Sequence, residues 1–293
     1  MTVYEFIRAQ RAEDSSFSIQ RACQLLLGTK TASGYHAWLK RPPSARARSD
    51  QKLSWTIRRM WLTSRKSYGS PRIIADLIDE GIHVGKKRVA RLMREGDMQG
   101  AHRRKKGRTT TRDAKASPAP DLVNRNFAAE APDKLWVADI TYIRTWQGWL
   151  YLSVVIDAYS RRVVGWSMRD DLTTAGPLDA LRMAKHQRRP APGLVHHSDQ
   201  GTQYTSIAFG RELRDSDLAG SMGSVADCYD NAVAESFFAT LKTELIYTQS
   251  WPTREEARRA VFEWIEGWYN PHRRHSTCGN VSPAAYEAEY RAA

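Results

Sequence analysis

Leu135-Trp136-Val137-Ala138-Asp139-Ile140-Thr141-Tyr142-Ile143 is the stretch on which the reading of this chain turns. It is rich in β-branched and aromatic residues, has the length of a strand, and carries one charge, Asp139, in an otherwise uncharged setting. A carboxylate inside such a strand is costly unless something compensates it. Two further strand-like runs follow at 150–157 and 162–168, joined through Gln147-Gly148 and Ala158-Tyr159-Ser160. Those connections are short enough for an antiparallel meander. Downstream the pattern predicts a helix at about 175–186, a strand at 194–198, a helix at 207–213, a short strand at 220–222 and a helix at 231–246. Three antiparallel strands followed by alternating helices and strands make a mixed α/β sheet.

Upstream of the sheet the composition changes. Residues 1–112 hold 25 Lys and Arg against 9 Asp and Glu, a balance of +16, while the remaining 181 residues balance at −3. A basic front and a slightly acidic rear suggest a front that meets a polyanion, with a merely solubilising surface as the plain alternative. The front reads as helical. Apolar positions from Phe6 to Leu27 recur at helix-like intervals, Ser15 and Ser16 precede the second run as caps, and Gly34–Lys40 starts another helix. These form a helix-turn-helix candidate that spacing alone does not separate from a plain helical hairpin. A second helical set holds Leu53, Ile57, Met60 and Trp61, then Pro71 in a first helical turn, then 88–94 with Arg88 and Arg91 on a basic face. Arg103-Arg104-Lys105-Lys106 follows without an apolar residue, so phosphate contact is the better reading of these cations. The expected organisation is an N-terminal helix-turn-helix-like region at 1–45, a second helical DNA-binding region at 46–104, and a basic, proline-containing linker at 105–132. A catalytic core at 133–250 and a helical extension at 251–293 complete it.

No apolar run approaches the roughly 18 residues of a membrane span, and the first residues lack a secretory pattern. Three scattered cysteines, Cys23, Cys228 and Cys278, support neither a disulfide framework nor a zinc site and fit a reducing cytosol.

The predicted sheet brings three carboxylates together: Asp139 within the first strand, Asp199 just past the fourth, and Glu235 on the last helix. Hard divalent cations take oxygen ligands, and two of them can clamp the attacking and leaving oxygens at a phosphorus. Spacing by itself decides little, since 23 of the last 181 residues are acidic. On the last helix, Asn231 and Lys242 fall within about 40° of Glu235, beside an apolar flank of Ala234, Phe238, Leu241 and Leu245. A metal-binding acid with a cation two turns away suits a site that holds a phosphate backbone; an ordinary exposed Glu and Lys is the alternative. Asp157 is read as a strand-end turn residue before a fourth acid. His272 and His275, with Arg273 and Arg274, are read as DNA contacts or helix caps before metal ligands.

With 35 residues between Asp199 and Glu235, these acids resemble the DD(35)E triad of insertion-sequence transposases and retroviral integrases. The chain is similar, more specifically, to the second-reading-frame transposases of the IS-three family, through WVADITYI at 136–143, VIDAYSRRVVGW at 155–166, HSDQGTQY at 197–204, YDNAVAE at 229–235 and KTEL at 242–245. Trp268-Tyr269-Asn270, Arg273-Arg274-His275-Ser276 and Ser282–Glu287 continue the likeness, and 68–72 and 88–93 resemble the family's helix-turn-helix region. Ala138 stands where Thr is more usual, and Cys278 where Leu is. The resemblance implies a ribonuclease-H-like mixed-sheet core behind an all-α DNA-binding region. It also implies two Mg2+ ions, or Mn2+ in their place, on Asp139, Asp199 and Glu235, with Lys242 on transposon-end DNA. It implies metal-dependent cleavage and strand transfer, with transposon-end and target DNA as partners and a homo-oligomer assembled on the DNA. An upstream-frame product, fused or separate, and a bacterial cytoplasmic, nucleoid-bound location complete the expectation. The rival reading is a catalytically silent DNA-binding regulator; a ribonuclease of the same core is disfavoured by the basic front.

Overall fold

The computed structural model describes residues 2–28, 32–102, 129–199, 201–222 and 232–292. The expectations placed on Asn231, Arg103, Arg104, Lys105 and Lys106, and on most of the linker, lie outside those residues. The chain divides into two compact units, Met1–Thr56 and Ile57–Ala293.

The first unit contains α1 (Val3–Glu13), α2 (Ile19–Leu27) and α3 (Ser33–Lys40). Thr2 and Glu5 form a reciprocal capping box at the start of α1, which satisfies two backbone donors that no helical carbonyl reaches. The cap of α2 is Ser18, whose hydroxyl accepts from the Arg21 N–H at 3.3 Å, and not Ser15 or Ser16. Ser16 is instead held in the preceding turn by Asp14 at 2.8 Å. Ile7, Ala22, Cys23 and Tyr35 make a small core, flanked by Tyr4, Phe17, Ile19 and Trp38. The helix α4 (Ala45–Thr63) runs across the division between the units.

The second unit continues with α5 (Ser70–Asp79), which has Pro71 in its first turn, and α6 (Lys86–Glu95). A five-stranded sheet follows: β1 (Leu135–Thr145), β2 (Gly148–Asp157), β3 (Val163–Arg169), then α7 (Ala175–Arg188), β4 (Val195–Ser198), α8 (Ile207–Arg214) and β5 (Ala219–Met222). Spatial order is β3-β2-β1-β4-β5, antiparallel through the first three strands and parallel from β1 to β4 and β4 to β5. One face carries Trp136, Ala138, Val155 and Val164 against Ala180, Leu181 and Ala184 of α7 and Phe209 and Leu213 of α8. Gly165 lets α7 approach β3, because a Cβ there would lie 2.2 Å from the Ala180 carbonyl. Covering the other face are α9 (Ala232–Glu244) and α10 (Arg254–Trp264), the latter continuing into a π turn at Ile265–Tyr269. Phe237, Trp264 and Tyr269 pack ring on ring beneath it, with centroids 5.0–5.8 Å apart.

The tail is part of the core. Asn270 closes the open edge of β3 by donating to the Val163 carbonyl at 3.0 Å and accepting from its N–H at 2.9 Å. The last helix, α11 (Pro283–Ala292), buries Glu287, which accepts from Ser160 at 2.8 Å, Arg162 at 2.9 Å and Arg188 at 2.7 Å. Cys278 is fully buried and its thiol donates to the Ser160 carbonyl, so it fills its position without loosening the tail. Residues 57–102 belong to the same unit as the sheet. The Tyr68 hydroxyl donates to the His272 carbonyl at 3.2 Å and accepts from the Arg274 N–H at 2.8 Å.

Candidate active site

Alternation along β1 decides where Asp139 points. Trp136, Ala138 and Ile140 face α7 and α8, so Asp139 faces the α9 side of the sheet. Its strand partner in β2 is Val154, and its carboxylate accepts from the Ile140 N–H at 2.7 Å. On the other edge β4 runs parallel to β1 with Val137 opposite His197. The pairing stops there, two residues before Asp139 and Asp199, and β4 ends at Ser198. Asp199 is exposed just past the strand, in a turn where its carboxylate accepts from the Gly201 N–H at 3.1 Å. Glu235, exposed in the first turn of α9, approaches the same region from above the sheet.

The electrostatics record this convergence. Burial pushes Asp139 up to about 7, and the charges of Asp199 and Glu235 push the same way, while Lys242 pulls against them. Partial desolvation also raises the Glu235 pKa from its ordinary value. Lys242 lies on the polar edge of α9 with its ammonium 5.2 Å from the centre of the Tyr142 ring. Tyr142 is 58% exposed and meets Trp149 edge to face at 5.1 Å, giving the cation an aromatic floor. The sequence reading gave Tyr142 no role, because a strand tyrosine looks like core material.

Tyr204 follows Asp199 by five residues in the turn after β4. It is buried, its hydroxyl has no hydrogen-bond partner among the described residues, and burial with the charges of Asp139 and Asp199 raises its pKa well above the usual value. Its ring packs in the cluster between the sheet and α7 and α8. Among the described residues no three His, Cys, Asp or Glu side chains are drawn close enough to hold an ion as they stand. The fit to a hard divalent cation is one of chemistry: carboxylate oxygen donors, and a buried carboxylate whose charge is disfavoured until a cation offsets it.

Two of the expected DNA contacts are engaged in ion pairs within the chain. Arg273 is 4% exposed, and its guanidinium forks onto Glu244 at 2.7–3.1 Å inside the fold. Arg274 binds Asp76 at 2.5 Å, Asp79, and the Asn280 carbonyl at 2.6 Å, tying α5 to the tail. Both cations are internal ties. Asp157 is fully buried and caps its turn, accepting from the N–H groups of Asp133, Tyr159 and Ser160 at 2.7–3.1 Å. On α6, Arg88 is half-buried, and Arg91 makes a surface pair with Glu95 at 2.9 Å, an arrangement that leaves it able to reach a partner.

Comparison with known proteins follows the same lines. An integrase core domain model matches residues 129–228, a second integrase core model matches 217–283, and an HTH-like domain model matches 48–106. Over 249 residues the chain is 43% identical to a transposase for insertion sequence element IS629 of Shigella sonnei, covering 85% of this chain and 83% of the relative. Over 286 residues it is 37% identical to transposase InsF for insertion sequence IS3A of Escherichia coli strain K12, covering 97% and 98%. The chain belongs to the insertion-sequence transposases. As a transposase of this family it is a DDE-type polynucleotidyl transferase with an integrase core. The HTH-like match includes α6, with Arg88 and Arg91, and lies in the second helical set, beyond 1–45. Among solved structures, the HTLV-2 integrase catalytic core domain in complex with magnesium aligns with 54% of this chain and 98% of its own, at 17% identity and a TM-score of 0.41. No helix among the described residues is long and apolar enough to cross a membrane.

Proposed function

We propose that this transposase cuts and joins DNA strands at one site built from Asp139, Asp199 and Glu235, with Lys242 and Tyr142 holding the strand that reacts. What supports it is the effect of the Asp199 and Glu235 charges on Asp139, together with a β1–β4 pairing that ends two residues short of Asp139 and Asp199. In this reading the three carboxylates hold two Mg2+ ions, or Mn2+ in their place. When bound, the pair stabilises the attacking and leaving oxygens at phosphorus. Everything else is the work of the chain. The Lys242 ammonium pairs with a backbone phosphate, and the face of Tyr142 limits where that strand lies. Two displacements follow on this surface. Water first breaks a P–O3′ bond and leaves a 3′-hydroxyl; that hydroxyl then attacks a target phosphodiester and releases a new 3′-hydroxyl.

Arg88 and Arg91 on α6, together with Arg103, Arg104, Lys105, Lys106 and Asn231, are assigned to contact with transposon-end DNA. The first helices supply a further DNA-binding surface. Assembly as a homo-oligomer on DNA, action with an upstream-frame product and a nucleoid-bound location in the cytoplasm belong to the same proposal. The test is strand transfer beside a gel-shift assay. Asp139→Asn, Asp199→Asn and Glu235→Gln are each expected to lose cleavage and joining by at least about 10³-fold while end-DNA binding persists. Joining at the native rate by any one of them removes that residue from the site.

A further inference from the structure

Beyond Tyr142 the β1–β2 hairpin carries side chains that the proposed reaction does not use. Register settles which of them share a face. Tyr142 lies opposite Tyr151 and Arg144 opposite Trp149, and residues opposite one another in antiparallel strands project to the same side of the sheet. Two-residue steps keep Tyr142 with Arg144 on β1 and Trp149 with Tyr151 on β2. On this face Tyr142 is 58% exposed and Trp149 44%, and Arg144 is exposed as well. Trp146, at the tip, is 77% exposed. Three large rings left in water over one short hairpin form the kind of apolar patch that marks a binding surface.

The rings are held rather than loose. The Trp146 N–H donates to the Trp251 carbonyl at 3.0 Å, and the Thr145 hydroxyl donates to the Gly148 carbonyl at 2.7 Å. Arg254 fixes the turn from the start of α10: its backbone N–H donates to Gln147 Oε1 at 3.0 Å and its Nε to the Trp149 carbonyl at 3.0 Å. A backbone tied down in this way has little freedom left to lose when a partner lands on it.

Cations interleave with the rings. Arg144 stands opposite Trp149, and the Lys242 ammonium lies 5.2 Å from the centre of the Tyr142 ring. Lys242 also acts on the charge of Asp139, which links this face to the acids. Aromatic faces take bases, and cations between them take the phosphates that join those bases. In a duplex the base faces are covered by their neighbours, so the surface suits single-stranded bases.

We propose that this end of the sheet is a stacking platform for single-stranded bases of the DNA that reacts, with Trp146 and Trp149 against base faces and Arg144 on a linking phosphate. It extends, and rests on, the reading of Lys242 and Tyr142 as contacts with that strand.

The experiment uses the full chain without divalent cations, so that no strand is cut. Fluorescence anisotropy follows binding of labelled terminal-repeat duplexes whose short single-stranded overhang carries either ordinary bases or abasic residues throughout. Both overhangs carry the same phosphates, so the ratio of their affinities reports stacking. The native chain is expected to bind the base-bearing overhang about ten-fold more tightly, the effect of one stacked base. Phosphate contacts cancel in the ratio, so it should hold as salt rises. Trp146→Ala and Trp149→Leu are expected to reduce the ratio by about three-fold or more, and Trp149→Phe, which keeps a ring, to retain it. Because Trp146 stands mostly in water, Trp146→Ala should melt with the native chain, separating lost stacking from lost folding. Lys242→Gln should weaken both overhangs alike. If it weakens neither while the tryptophan variants act as expected, the Lys242 contact is overturned and the platform stands. A native ratio near unity, or tryptophan variants that leave the ratio unchanged, overturns the proposal. An altered sedimentation of the DNA-free chain in Trp146→Ala or Trp149→Leu, with the ratio unchanged, overturns it too and assigns the face to a second copy of the chain.

Discussion

Glu287→Gln tests whether the tail is an integral part of the catalytic unit. The carboxylate is 1% exposed and gathers Ser160, Arg162 and Arg188, while Arg188 also reaches Asp133 at 2.8 Å. Removing one partner of a buried ion pair costs about 3–5 kcal/mol. Here Arg188 keeps Asp133 and the glutamine oxygen still accepts from Ser160, which argues for the low end, about 3 kcal/mol. For a unit of this size that is roughly a 6–12 °C fall in melting temperature. Arg162 donates to the same carboxylate oxygen as Arg188 but is 35% exposed against 6% for Arg188. Arg162→Ala is therefore expected to cost under about 1 kcal/mol. The pH dependence has a definite sign. Burial alone raises the Glu287 pKa, but Arg188, Ser160 and Arg162 more than reverse this and hold it below the ordinary value. A depressed carboxylate adds stability above its unfolded pKa and loses it as pH falls through the folded one. The deficit of Glu287→Gln should thus be full from pH 6 to 8 and shrink below about pH 4. Urea melts of the native chain and both variants across that range make the measurement. Equal losses from Arg162→Ala and Glu287→Gln, or a Glu287→Gln deficit under about 0.5 kcal/mol at pH 7, would refute the argument that burial makes this network matter.

Two further outcomes are expected. Tyr68→Phe leaves the Arg274 N–H and the His272 carbonyl without their shared partner, and urea melts should show a loss of about 1–2 kcal/mol; an unchanged midpoint would mean that water replaces the hydroxyl freely. End-DNA affinity of the full chain should fall linearly in log–log against salt, and Arg88→Gln should flatten the slope by about 0.9, one phosphate contact; an unaltered slope takes Arg88 off the DNA.

The sheet was legible because strand periodicity is local. Asp139 stood out because a lone charge in an apolar strand is anomalous at the level of the sequence. The choice of Ser18 over Ser15 and Ser16 was not legible, since three nearby hydroxyls are equally able to cap until the chain's entry angle is fixed. The internal partners of Arg273 and Arg274 were not legible for a different reason. Their partners, Glu244, Asp76 and Asp79, are 29 to 198 residues away in sequence, and a basic tetrapeptide looks the same whether it faces a phosphate or a buried carboxylate. Tyr142 and Tyr204 were hidden because aromatic residues are usually core; only placement beside charges distinguishes them.

Asp157 and Asp139 show how the same physics separates a structural acid from a functional one. Both lie in adjacent strands of one sheet, and burial raises both, to about 6 and about 7. Asp157 is surrounded by donors: three backbone N–H groups within 3.1 Å and the Ser160 hydroxyl at 3.3 Å. Its carboxylate organises a turn and needs nothing further. Asp139 has one donor among the described residues, the adjacent Ile140 N–H, and faces Asp199 and Glu235 instead. The protein supplies that site with like charge where elsewhere it supplies hydrogen bonds, and such an arrangement is stable only at a cost in folding free energy. Under the proposed function, a cation held beside Asp139 would offset the like charge of Asp199 and Glu235, whereas Asp157 already has its donors within the chain.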